Sequence, residues 1–271
     1  MTHALRSGGM RRAGARRAGA GTAVIARLGI GLAAYTLLPW YFQSDTTLLQ
    51  ALPGVFGGAA TASGIVEAAG HARPWLWIAL AGLAVAASAL RLPAGRAQGA
   101  SLAAGGLIGA IAILASGFAI GTTGWSFAWL TETLGALASG QPGVGLGGAL
   151  TLLALLMLFG AGVARLGWFR GDLFTACAVV LCGGLLVLFV ALPVAKVLVG
   201  AFVDEAGHPS LVALAERIGN ERTWGLGCLA GGVRCGVAWN TLFLALLTAA
   251  GTTLLGTMIA LVAERGAGRL K

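Results

Sequence analysis

Glu67 and His71 stand four residues apart, a spacing that brings both side chains to one face of a helix, where two metal ligands or an acid and a base would sit. Two ligands are not a metal site, and His3 and His208 have no partner at ligand spacing, so all three histidines read as surface residues. An acid–base site would also need Glu132 brought to the same membrane face. Gly143, Gly145 and Gly148 satisfy G-x-G-x-x-G, whose backbone amides cradle a pyrophosphate when a strand precedes them. Here the motif runs straight into an apolar stretch with no strand pattern before it, which argues against dinucleotide binding. Cys228 and Cys235, with six residues between them, can close a disulfide on an oxidising face. Cys177 and Cys182 fall within an apolar run and read as small packing residues.

Two further absences bear on chemistry. No G-x-x-x-x-G-K-[ST] loop occurs, so ATP hydrolysis of the Walker type would have to come from another subunit. No ionisable residue lies in the middle of an apolar run, where proton relays, ion-coupled transporters and intramembrane hydrolases keep theirs. The residues therefore nominate no catalytic, cofactor-binding or metal-ligating group, leave substrate binding unassigned, and lead to the expectation of a protein that is not an enzyme.

The elements carrying these residues follow from composition. The chain has 271 residues, 58% apolar and only 10% charged, where a water-facing globule needs roughly a quarter charged. Its mean hydropathy of +0.88 marks a polytopic membrane protein. Forty-five glycines without a Gly-X-Y period exclude collagen and suit closely packed membrane helices. Gly105 with Gly109, and Gly117 with Gly121, each place two small residues on one helix face. The formal charge of +9 would suggest nucleic acid in a soluble chain. In a membrane chain the basic residues are topology signals, and no nucleic-acid partner is expected.

A spanning helix needs about 20 mainly apolar residues. Six stretches qualify: Leu28 to Phe42, extendable upstream through Thr22; Pro74 to Leu90; Ser101 to Ile120; Gly145 to Ala164; Leu173 to Leu192; and Trp239 to Ala263. The expected fold is all-α, a polytopic transmembrane bundle of about six spans. Thirteen of the 18 basic residues fall in the N-terminal stretch, alternate loops and the tail, and only Arg73, Lys196, Arg217, Arg222 and Arg234 fall on the other side. Both termini are therefore expected in the cytoplasm. The first span ends in Pro39, Trp40, Tyr41 and Phe42, an interface anchor rather than a signal-peptide cleavage site. Residues 1–21 read as a basic cytoplasmic N-terminus, 22–164 as four spans, and 165–271 as two spans with an external loop.

Of the external segments, residues 43–73 are too poor in charge for a soluble domain and either lie along the membrane or re-enter it. Phe127 to Ala138 reads as an interfacial helix bearing Trp129 and Glu132. In the longest polar loop, Leu211, Leu214, Ala215 and Ile218 repeat with helical spacing and predict a short amphipathic helix, a cap on the bundle or a docking face for an external partner.

The last hundred residues carry a resemblance. A span ending Leu192-Pro193-Val194-Ala195-Lys196-Val197-Leu198 leads to Ala201-Phe202-Val203-Asp204, then the amphipathic segment, then Trp239-Asn240-Thr241-Leu242-Phe243-Leu244-Ala245, and the run closes on Leu261-Val262-Ala263-Glu264-Arg265. Asn240 is also a reasonable helix N-cap on physical grounds. This order resembles the opening of a binding-protein-dependent ABC transporter permease, most closely the ferric-iron type. The resemblance implies an inner-membrane permease component of an importer, with separate ATPase subunits and a periplasmic substrate-binding protein as partners besides membrane lipid. The family's cytoplasmic EAA-type coupling loop does not occur before Lys271, so the expectation is the N-terminal part of a permease. A non-catalytic membrane scaffold or assembly subunit is the alternative; downstream sequence carrying that loop would speak for the permease.

Overall fold

The computed structural model describes residues 21–41, 62–71, 73–137, 140–141, 143–204, 208–230 and 235–267. His3, the basic N-terminus and most of the 43–73 segment lie outside them. The described chain is helical: α1 Gly21–Leu37, α2 Gly64–Gly70, α3 Leu76–Arg91, α4 Arg96–Ala119, α5 Ala128–Leu134, α6 Leu146–Arg165, α7 Leu173–Ala201, α8 Leu211–Gly219, α9 Glu221–Trp224 and α10 Val237–Ala267. Among the described residues, extended pairing is limited to isolated bridges such as Pro39 with Ser63 and Tyr41 with Val144. The chain divides into two compact units, Met1–Val197 and Leu198–Lys271.

Among the described residues, four helices are long and apolar enough to cross a membrane: α4, α6, α7 and α10. The expected first two spans form shorter apolar helices, α1 and α3. At 1.5 Å per residue, α1 is about 25 Å long, a little under the hydrocarbon thickness of roughly 30 Å. It stops at Leu37 rather than Phe42, because Pro39 biases the residue before it away from helix. The chain there turns extended instead, and Gly145 and Gly147 donate to the carbonyls of Trp40 and Pro39 at 2.8 and 2.9 Å.

Glycines hold the first unit together. A methyl group on Gly82 of α3 would fall 2.7 Å from the Gly105 carbonyl and the Gly109 backbone of α4. On Gly105 it would meet the backbone of Ala86, and on Gly106 the Leu155 carbonyl of α6 at 2.5 Å. Gly162 of α6 approaches Ala103 of α4 in the same way, and Gly160 lies against the backbone of Cys177 in α7. The backbones touch, as small-residue interfaces in membranes allow. Around these contacts pack Tyr35, Leu76, Leu83, Leu102, Leu155 and Leu158, all at most 3% exposed. Of the two glycine pairs read from the sequence, Gly105 and Gly109 make this contact. Gly117 faces open space, and Gly121 has only ordinary contacts.

Burial differs sharply among the long helices. In α4 33% and in α6 56% of the apolar stretch is buried, in α7 6%, and in α10 none. Helix α7 runs past its expected end at Leu192 to Ala201, so Lys196 lies within the helix rather than in the following loop. Pro193 brings no backbone donor. The five residues before Leu192, Val187–Ala191, take π geometry, and Leu192 N–H bonds back to the Val187 carbonyl. The wider turn lets the helix pass through the proline. Asp172 caps α7, its carboxylate accepting from the Thr175 hydroxyl and from the Thr175 and Phe174 N–H groups. Those hydrogen bonds hold its carboxyl below the usual range.

Three smaller expectations shift. The interfacial helix spans Ala128–Leu134 only, closed by Gly135 at φ 82°. Cys177 is buried as a packing residue, whereas Cys182 is exposed. Asn240 is not a cap: α10 begins three residues earlier, and the Asn240 side chain donates instead to the Cys235 carbonyl at 3.1 Å.

Gly105→Ala is expected to destabilise the first unit by about 1–3 kcal/mol through overpacking, whereas Gly117→Ala stays within about 0.5 kcal/mol of the parent. Thermal unfolding of the two detergent-solubilised variants beside the parent checks both.

Candidate functional site

The polar group best built in the first unit lies where α2, the start of α3 and the glycine-rich 140–148 segment meet the end of α1. Helix α2 places Glu67 and His71 one turn apart, as their spacing predicts, and His71 Nδ1 lies 3.1 Å from Glu67 Oε2. Arg73 reaches the same carboxylate oxygen at 3.2 Å through Nη1. Its Nη2 donates to the Gly140 carbonyl at 3.0 Å, and its guanidinium stacks 4.3 Å from the centre of the Tyr41 ring. Glu67, Arg73 and Tyr41 are each under 9% exposed, while His71 keeps 36% of its side chain in contact with solvent.

A buried carboxylate is tolerated only when paired and hydrogen-bonded. Glu67 has two basic partners, and Arg73 ties it to three chain segments at once. Burial pushes the Tyr41 phenol above its ordinary range, with the Arg73 charge pulling the other way. Beneath this layer Tyr35 donates to the Leu76 carbonyl at 3.1 Å, and its ring meets Trp40 edge to face at 5.2 Å. Ser63 is fully buried beside Pro39. The arrangement is an ionic staple: it fixes four segments at one end of the helix bundle.

Glu132 is exposed on α5. Among the described residues no three of His, Cys, Asp and Glu gather where a metal ion could be held. Arg73 and Tyr41 were legible in the sequence only as a loop charge and an interface anchor; the six-residue step from Glu67 to Arg73 matches no helical spacing. Gly145, from the G-x-G-x-x-G run, precedes α6 with no strand before it among the described residues, and its amide donates to the Trp40 carbonyl.

In the second unit, Cys228 and Cys235 are joined by a disulfide. It closes the loop that leads into α10, and Gly236 N–H donates to the Gly225 carbonyl at 2.7 Å just beyond it. A cleft of about 260 Å³ is lined by Asp204, Ala213, Glu216, Arg217 and Asn220. Of its polar groups, Asp204 accepts from the His208 N–H, Asn220 from the Arg222 N–H, and Arg217 donates to the Gly200 carbonyl in the last turn of α7.

Helices of this length and composition define a helical membrane protein. No protein-family model, curated protein or solved structure matches the chain.

Removing Arg73 leaves the Glu67 carboxylate buried without its guanidinium partner. Arg73→Met is expected to cost about 3–5 kcal/mol, the usual penalty for breaking a buried pair, and Glu67→Gln in the same chain to restore part of it. A double-mutant cycle read by thermal unfolding in detergent measures the coupling.

Proposed function

We propose that this chain is an inner-membrane component of a binding-protein-dependent ABC importer, with ferric iron its substrate. In this reading α1, α3, α4, α6, α7 and α10 are six spans, both termini are cytoplasmic, and the loop between α7 and α10 faces outward. The observation that carries it is the order of elements after Asp172. A long apolar helix passes through Pro193, a short amphipathic helix follows, and the Asn240-Thr241-Leu242 helix then runs uninterrupted from Val237 to Ala267.

Two features support the reading. Helix α10 buries none of its apolar stretch, which suits a helix whose neighbours belong to a larger assembly or are lipid. The Cys228–Cys235 bridge belongs in an oxidising compartment, in agreement with the scarcity of basic residues on that side. Within such an importer the chain would supply membrane anchoring, part of the pathway wall and an external loop near the docking face, while ATP hydrolysis stays with separate subunits.

A non-catalytic scaffold is the second reading, favoured by the ionic staple, which ties four segments together. Co-purification separates the two. Tagged chain drawn from the membranes of its own cells is expected to bring an ATPase subunit with it, and, after cross-linking, an external binding protein. Recovery of membrane proteins with no ATPase among them would favour the scaffold. Topology has its own check: a membrane-impermeant maleimide added from outside is expected to leave Cys228 and Cys235 unmodified until a reductant is present, and to label both afterwards. Labelling only from the cytoplasmic side would reverse the orientation.

A further inference from the structure

Helix α8 turns its apolar side away from its own unit. At 100° per residue, Ile218, Leu211, Ala215 and Val212 follow one another around an arc of about 120°. All four are exposed: Leu211 is 75%, Val212 68% and Ile218 53% accessible. The opposite side carries Ala213, Leu214 and Arg217. Ala213 and Leu214 are half-buried, and Arg217 Nη1 donates to the Gly200 carbonyl at 2.6 Å. A helix that only capped its unit would turn this apolar arc inward.

The tethers of α8 say what covers that arc. Arg217 holds the helix against the last turn of α7. The Trp224 indole donates to the Ile218 carbonyl at 2.6 Å, and the Trp239 indole, in the first turn of α10, donates to the Trp224 carbonyl at 2.9 Å. The two indole rings meet edge to face, 6.4 Å apart. Thus α8 is hydrogen-bonded toward the ends of two helices that are long and apolar enough to cross a membrane. Exposed apolar residues also occur at those ends, Leu198 and Phe202 at one and Val237 at the other. Tryptophan pairs and short amphipathic helices at such a level sit in the boundary between headgroups and acyl chains.

We propose that α8 is an interfacial helix whose Leu211, Val212, Ala215 and Ile218 face enters the headgroup–acyl boundary of the bilayer beside the ends of α7 and α10. The occupant of this face is phospholipid, not a soluble protein. The inference requires only that α7 and α10 cross the membrane, and it stands or falls independently of the importer reading.

The test uses the full chain in phosphatidylcholine–phosphatidylglycerol vesicles, with Cys177→Ala and Cys182→Ala and the disulfide kept. Nitroxide labels are attached in turn at Leu211→Cys, Val212→Cys, Ile218→Cys and Glu216→Cys. Collision rates with oxygen, which concentrates in the acyl region, are compared with those of a water-soluble nickel chelate. The first three positions are expected to show an oxygen-to-nickel ratio several-fold higher than Glu216. Free access of nickel to all four would make this a water-facing surface open to a soluble partner and would overturn the proposal. Protection of the three from both reagents would mean that protein covers them, with the same consequence. The unmodified chain provides a second measurement that no substitution can disturb. Phospholipid carrying a photoreactive group near the top of its acyl chain is expected to leave adducts between residues 211 and 218, and labelling of α10 with none in that stretch would also overturn the proposal.

Discussion

Helices built of leucine, alanine and glycine gain little from hydrophobicity against one another once lipid replaces water, so what binds them must come from contact itself. In the first unit that contact is backbone on backbone. Gly82, Gly105, Gly106, Gly109 and Gly162 leave no room for a Cβ, and α3, α4 and α6 approach as closely as main chains can. The leucines between them, Leu83, Leu102, Leu155 and Leu158, then fill the remaining space without polar help. Gly31 of α1 joins the same arrangement against Ala154 and Leu83. The specificity of this packing is steric: each glycine admits one neighbour at one height.

The ion pairs of Glu67 in that unit lie at one end of the bundle, where backbone leaves the helices and needs partners. The end of α1 satisfies its amides and carbonyls with Gly145 and Gly147, and α2 stands over the same region. Glu67 and Arg73 are buried there as a pair, with His71 reaching the carboxylate from the solvent side. Such a pair adds little net stability over apolar residues, yet losing either member is costly. Its effect is to specify which segments meet, since only one arrangement brings Glu67, Arg73, Tyr41 and the Gly140 carbonyl together. A tight apolar bundle closed by an ionic staple is suited to holding a position in the membrane.

Helices α7 and α10 follow a different rule. Their apolar residues are exposed almost throughout, so their stability in the membrane rests on internal hydrogen bonding and on what surrounds them. Thr241, Thr252 and Thr257 return their hydroxyls to carbonyls one turn back, so these three side chains of α10 are satisfied within the helix. The loop that joins these helices is knit by specific bonds, the Cys228–Cys235 bridge, the Trp224 and Trp239 indoles and Arg217, rather than by a core.

Read alone, the sequence determined the class of protein, the places of its long apolar helices, the helical spacing of Glu67 with His71 and the amphipathic stretch at Leu211. Each of these is a local property, set by composition or by the 3.6-residue period. Helix ends were less legible: Pro193 signals a stop and is passed through a π turn, and Asn240 signals a cap but lies inside the helix, its side chain taken up by the Cys235 carbonyl. Tertiary structure alone decided which glycines are contacts, separating Gly105 from Gly117 though both have the same four-residue spacing to a second glycine. It also decided that Arg73 and Tyr41 complete the buried group around Glu67, and which side of α8 is left uncovered. The reason is common to all three: these outcomes depend on what another segment, distant along the chain, brings to the same point in space, and spacing within one helix carries no record of that.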